Sequence, residues 1–182
     1  MVSFGMASLF IYNGSNSQMF KQFRDHVIHE QYGYFQLHAK GYTELGRKAP
    51  YDYLIHDYTS IEKKLLEAKD IDFVAPRLNF SGIASDDEKS TVVKGFGGVP
   101  AAEARMEYGK VKEGEFLDDH LAGEAVIGEL VLKKLSSPVG SSITVLSSMK
   151  GGGMSAIDLK ITGTKKGYGE SDVMNQMFIL AD

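Results

Sequence analysis

Cysteine is absent from the 182 residues, and its absence excludes disulfide frameworks, thiolate zinc sites, iron–sulfur ligation and cysteine nucleophiles. The redox compartment stays open, since disulfides are optional outside the cytosol. Long apolar runs are missing as well: the longest candidate, residues 4–12, is interrupted by Gly5 and Ser8 and falls short of the roughly 18–20 residues that cross a bilayer. There is no excess of positive charge. Twenty Lys and Arg stand against 24 Asp and Glu, for a net charge of −4 and a pI of about 5.7, so the chain offers no field for a polyanion and nucleic acid is excluded as a partner. Residues 1–12 carry no Lys or Arg ahead of their apolar stretch, and no small-residue cleavage site follows cleanly, so no signal peptide is read there. Two expectations follow: a cytoplasmic protein, or a piece of a longer one whose targeting elements lie outside it.

What is present is an ordinary globular composition, 43% hydrophobic, 24% charged and 10% aromatic, which rules out wholesale disorder and fits one domain or two small ones. After the break Asn13-Gly14-Ser15-Asn16, apolar Met19, Phe20, Phe23, Val27 and Ile28 recur at spacings of three and four and predict a helix over 17–30. Gly33 stops it. Residues 34–40 alternate apolar Phe35, Leu37 and Ala39 with polar Gln36, His38 and Lys40, the pattern of a half-buried strand. A short strand over 51–55 leads to Thr59-Ser60-Ile61-Glu62, where a capping box would start a second helix near residue 60. Residues 73–84 and 91–96 read as a hairpin around the charged loop 85–89. The second half is punctuated by glycine: a helical stretch at 101–104, strands at 124–127, 142–147, 156–162 and 173–180, a helix at 129–135, and a hairpin tip at Gly151-Gly152-Gly153. The fold class expected is α+β with two subdomains, an α+β unit and an inserted mainly β unit: 1–16 membrane-proximal, 17–100 α+β with a stalk helix, and 101–182 mainly β, truncated at its C-terminal end.

No arrangement of side chains signals catalysis. His26, His29 and Glu30 share a helix, but the two histidines are three apart rather than the four of helical zinc proteases, so solvated histidines are the favoured reading. His38, His56 and His120 have no matching partners. Gly95 to Gly98 and Lys150 to Gly153 lack the P-loop ending, and no Gly-x-Ser-x-Gly elbow exists. The acidic runs Asp86-Asp87-Glu88 and Asp118-Asp119 suit solubility better than calcium. No catalytic, cofactor or metal residue is assigned.

The order of segments nevertheless resembles a known family. Gly33-Tyr34-Phe35-Gln36-Leu37 after the first helix, then Pro76-Arg77-Leu78, then Lys112-Glu113-Gly114-Glu115-Phe116-Leu117, Gly123-Glu124-Ala125-Val126-Ile127-Gly128-Glu129 and Val139-Gly140-Ser141-Ser142-Ile143 resemble the ectodomain of MacB-like and FtsX-like ABC-transporter permeases, which include the lipoprotein-releasing permeases. Tyr34 stands where the family has His, and Ser141 where Asp is common. The resemblance implies a non-catalytic extracytoplasmic domain, without cofactor, anchored in the inner membrane and facing the periplasm or exterior. It lies between flanking membrane helices, and more chain after Leu180, or a partner chain, completes its first subdomain. The implied partners are a cytoplasmic ABC ATPase, a second permease subunit, and a periplasmic adaptor or lipoprotein. The stripe over residues 4–27 would pack against a second stalk or a neighbouring subunit. The rival reading is a free-standing ligand-binding module or a hydrolase with an unrecognised site.

Overall fold

The structure, a computed structural model, describes residues 2–26, 28, 32–46, 50–106, 111–118, 122–165 and 176–180. Helix α1 (Val2–His26) runs unbroken through Asn13, Gly14, Ser15 and Asn16, where the sequence suggested a start at residue 17. Nucleating a second helix is costly, whereas extending a running one gains a hydrogen bond for each residue fixed. Four weak helix formers are therefore crossed. The far end of the expected helix, residues 27, 29 and 30, lies outside the described residues.

Two expected strands are not strands. Residues 34–40 pair with nothing among the described residues; their alternation is genuine, but a strand needs a neighbour to accept its ladder bonds. The stretch expected as a strand over 51–55 begins instead as a 3-10 turn, Pro50–Tyr53, for which the fixed φ of proline is pre-set. Between them lies the single turn α2 (Tyr42–Leu45). Helix α3 (Tyr58–Leu66) starts one residue ahead of Thr59 and is preceded by Asp57, with no side-chain cap bond. Thr59 is thus inside the helix rather than its cap, and no residue of α3 is buried.

From residue 77 onward the expectations hold closely. Strands β1 (Arg77–Ser85) and β2 (Ser90–Gly98) pair antiparallel from Arg77↔Gly98 to Ser85↔Ser90. The hairpin opens at Arg77 rather than at residue 73, because Pro76 has no N–H to give a ladder. Then come α4 (Pro100–Arg105), β3 (Glu113–Gly114), β4 (Glu124–Gly128), α5 (Glu129–Leu135), β5 (Ser142–Ser148), β6 (Met154–Lys165) and β7 (Gln176–Leu180). Residues 173–175 of the last expected strand lie outside the described residues. Gly151 and Gly152, both with positive φ, make the turn between β5 and β6.

The strand order is β3-β6-β4-β7-β2-β1-β5, with a further β5–β6 pairing. That last pairing joins the ends, so β5, β1, β2, β7, β4 and β6 curl into a ring and β3 pairs with the C-terminal end of β6. The fold is α+β. Strands from either side of residue 100 share this one sheet, β1 pairing with β5 and β2 with β7, so the shift in composition near Gly97 marks no break in it.

Inward-facing Ala84, Val93, Ala125, Ile127, Ile143, Val145, Leu159 and Ile161 form the core with Val131 and Leu135 of α5. The 3.6-residue period of α5 places Val131 and Leu135 on one face, with Lys133 and Lys134 outside. On the other face of β4, Val126 packs with Leu117, Phe96, Val111 and Phe116. β4 is therefore covered on both sides, which explains its uninterrupted apolar run Ala125-Val126-Ile127. The two-residue strand β3 crosses β6 at Gly114 and Gly163. Gly114 has φ +81, and a Cβ there would strike the carbonyl oxygen of Thr162, so the glycine of the Glu-Gly-x-Phe-Leu motif is required by both conformation and space.

Candidate functional site

The residues weighed for chemistry are scattered. His38 is exposed, hydrogen-bonded to Gln36 and stacked on Tyr42 with ring centroids 4.5 Å apart. His56 is exposed at the turn before α3. His26 ends α1, while His29, Glu30, Asp119 and His120 lie outside the described residues. Gly95, Gly97 and Gly98 are buried inside β2, with β1 on one edge and β7 on the other. Among the described residues no group of three or more His, Asp or Glu is placed to hold a metal ion.

The polar groups that are brought together hold the body in shape. Glu103 of α4 is fully buried (0% exposed), and both its oxygens are taken by Arg77: Nε donates to Oε1 at 2.6 Å and an Nη to Oε2 at 2.7 Å. This is the planar fork-to-fork geometry that arginine offers and lysine cannot. The Arg77 guanidinium also lies 4.6 Å above the centre of the Phe96 ring and donates to Met106 Sδ at 3.2 Å. A second arginine, Arg105 on α4, stacks on Phe73 at 4.6 Å and donates to the carbonyl of Asp72 at 3.3 Å. The sequence marked Arg77 through the Pro-Arg pair, but gave no sign of Glu103, which is 26 positions away.

A second cluster forms at the far end of the β1–β2 hairpin. Asp86 accepts from the backbone N–H groups of Glu88 at 2.9 Å and Lys89 at 2.6 Å, and its other oxygen accepts from the Ser137 hydroxyl at 2.8 Å. Lys89 Nζ donates to the hydroxyl of Ser136, the residue that closes α5 in a left-handed conformation. Within an acidic run read as solubilising, Asp86 thus ties the hairpin loop to the end of α5. The two backbone donors, Lys89 first, and then the Ser137 hydroxyl hold its carboxyl below the ordinary 3.8. A depressed pKa contributes stability above the unfolded value and loses it as pH falls through the folded one. Asp86→Asn should therefore unfold more readily than the parent at pH 7, and the gap should close below pH 3.8. Urea melts across that range check this; a gap independent of pH would remove the carboxylate from the account.

The N-terminal segment carries a different surface. Met6, Tyr12, Met19, Phe20 and Phe23 of α1, with Tyr32, Tyr34, Phe35 and Leu37 after it, are all exposed, Tyr34 to 81%. Among the described residues no helix is long and apolar enough to cross a membrane.

A ring-shaped mixed sheet with a short helix packed into its core and a buried ion pair tying β1 to α4 makes this an α+β domain. The chain belongs to the family of MacB-like periplasmic core domains, which it matches over residues 2–181. The fold is similar to the extracellular domain of the noncanonic ABC-type transporter YknZ from Gram-positive bacteria (18% identity, TM-score 0.51, 66% of this chain and 60% of that one). It is also similar to the periplasmic region of MacB from Actinobacillus actinomycetemcomitans (16% identity, TM-score 0.53, 79% of this chain and 62% of that one). These matches take in about three fifths of each solved chain. No curated protein matches it.

Proposed function

We propose that this chain is the extracytoplasmic domain of an ABC-transporter permease, without catalysis of its own, that passes ATP-driven movement of membrane helices to a substrate or partner protein. The observation that carries the reading is the family match over residues 2–181. A closed sheet supports it physically: a body whose strands pair around a ring transmits displacement rather than absorbing it, because packed interiors are hard to compress. The cytoplasmic ATPase acts through the membrane domain, and a second permease subunit pairs with the first. A periplasmic adaptor or a lipoprotein receives the movement, lipoprotein release being one such use. The gene tests this directly. It should encode an apolar helix of about 20 residues before this segment and further spans after it, and a reporter fused within residues 1–182 should report from outside the cytoplasm. A gene without flanking spans, or a cytoplasmic reporter signal, would sink the proposal.

A further inference from the structure

Helix α4 grips the chain at the point where it enters the sheet. Residues 67–76 connect α3, none of whose residues is buried, to β1. On one side of α4, buried Glu103 holds Arg77 through both oxygens. Two positions further, about 200° around a helix turning roughly 100° per residue, exposed Arg105 covers Phe73 and reaches the carbonyl of Asp72. α4 itself is seated in the body by buried Pro100, Glu103 and Met106. Ahead of Asp72 the connection is turned by short-range backbone bonds, Glu67 N–H to Lys63, Ala68 N–H to Leu65 and Ile71 N–H to Ala68.

We infer that α4 is a pin: it makes residues 72–77 part of the sheet body, and through the turns at residues 67–71 the hold of Arg105 on Phe73 fixes the angle at which α3 leaves that body. The inference rests on this arrangement and holds whatever the domain transmits. With no native cysteine, spin labels on Lys64→Cys of α3 and Lys160→Cys of β6, both exposed sites, report the α3-to-sheet distance in the 182-residue chain by pulsed electron resonance. The expected result is one narrow distance population that broadens in Arg105→Ala while circular dichroism and the unfolding midpoint stay near the parent's. Arg105→Lys, which keeps the charge and loses the planar stack, should broaden it less. A parent distribution that is already broad, or one left narrow by Arg105→Ala, overturns the inference.

Discussion

Glu103→Ala should lower the unfolding free energy by about 3–5 kcal/mol, the usual loss when one member of a buried ion pair is removed and the other stays. The cause lies in what remains. Arg77 has a side chain only 18% exposed, sits over Phe96, and without the carboxylate keeps its charge while losing both forked hydrogen bonds and the counter-charge that balanced it. Water cannot easily replace an acceptor whose oxygens lay at 2.6 and 2.7 Å. Arg77→Ala should cost a similar amount by leaving the Glu103 carboxylate buried, whereas Arg77→Met with Glu103→Leu should recover most of the loss, since apolar replacement of a buried pair is often neutral. Equilibrium urea unfolding of the parent and the three variants checks this. A single-mutant loss below about 1 kcal/mol, the range of exposed pairs, would show that the bridge is dispensable.

The legible and illegible parts of this chain divide on where the deciding information sits. Helix α5 was readable to the residue because its start after Gly128, its apolar face of Val131 and Leu135 and its basic last turn are all local. The hairpin β5–β6 was readable because Gly151 and Gly152 announce a turn between two alternating segments. Residues 34–40 show the converse. Their alternation satisfies the strand pattern, yet strand formation depends on a partner that periodicity does not reveal. The Asn-Gly-Ser-Asn break failed for a related reason, since local propensity is a weak prior against the cooperativity of a running helix.

The polar clusters were invisible for a different reason. Arg77 and Glu103 meet only because β1 begins where α4 passes, and Asp86 meets Ser137 across 51 positions. Charge composition treats Arg77, Glu103 and Asp86 alike as surface residues, because buried and solvated charged groups look the same in one dimension. The family resemblance came closest, marking Pro76-Arg77 and the run from Gly114 to Gly128, and the structure gives those motifs physical content: a ladder start, a forked ion pair and a crossing that admits no Cβ. These motifs maintain the body, which is why a search for reactive side chains passed over them.

Ile127→Ala should produce the other large loss, about 2–5 kcal/mol, because it removes the transfer free energy of a branched side chain and leaves a cavity that a closed ring cannot collapse to fill. Ile127 is fully buried on β4, whose two neighbours, β6 and β7, are fixed by ladders on both edges, so neither strand can slide inward without breaking register. Its immediate neighbour Val126 faces the smaller cluster with Leu117; Val126→Ala deletes less and should cost less. Val92→Ala on β2, at a side chain 60% exposed, should stay within about 0.5 kcal/mol of the parent, as surface substitutions usually do. The ranking Ile127, Val126, Val92 is a direct consequence of which face of the ring each residue occupies. Urea midpoints at a common slope check it, and a Val126 loss exceeding that of Ile127 would place the main core on the outside of the ring.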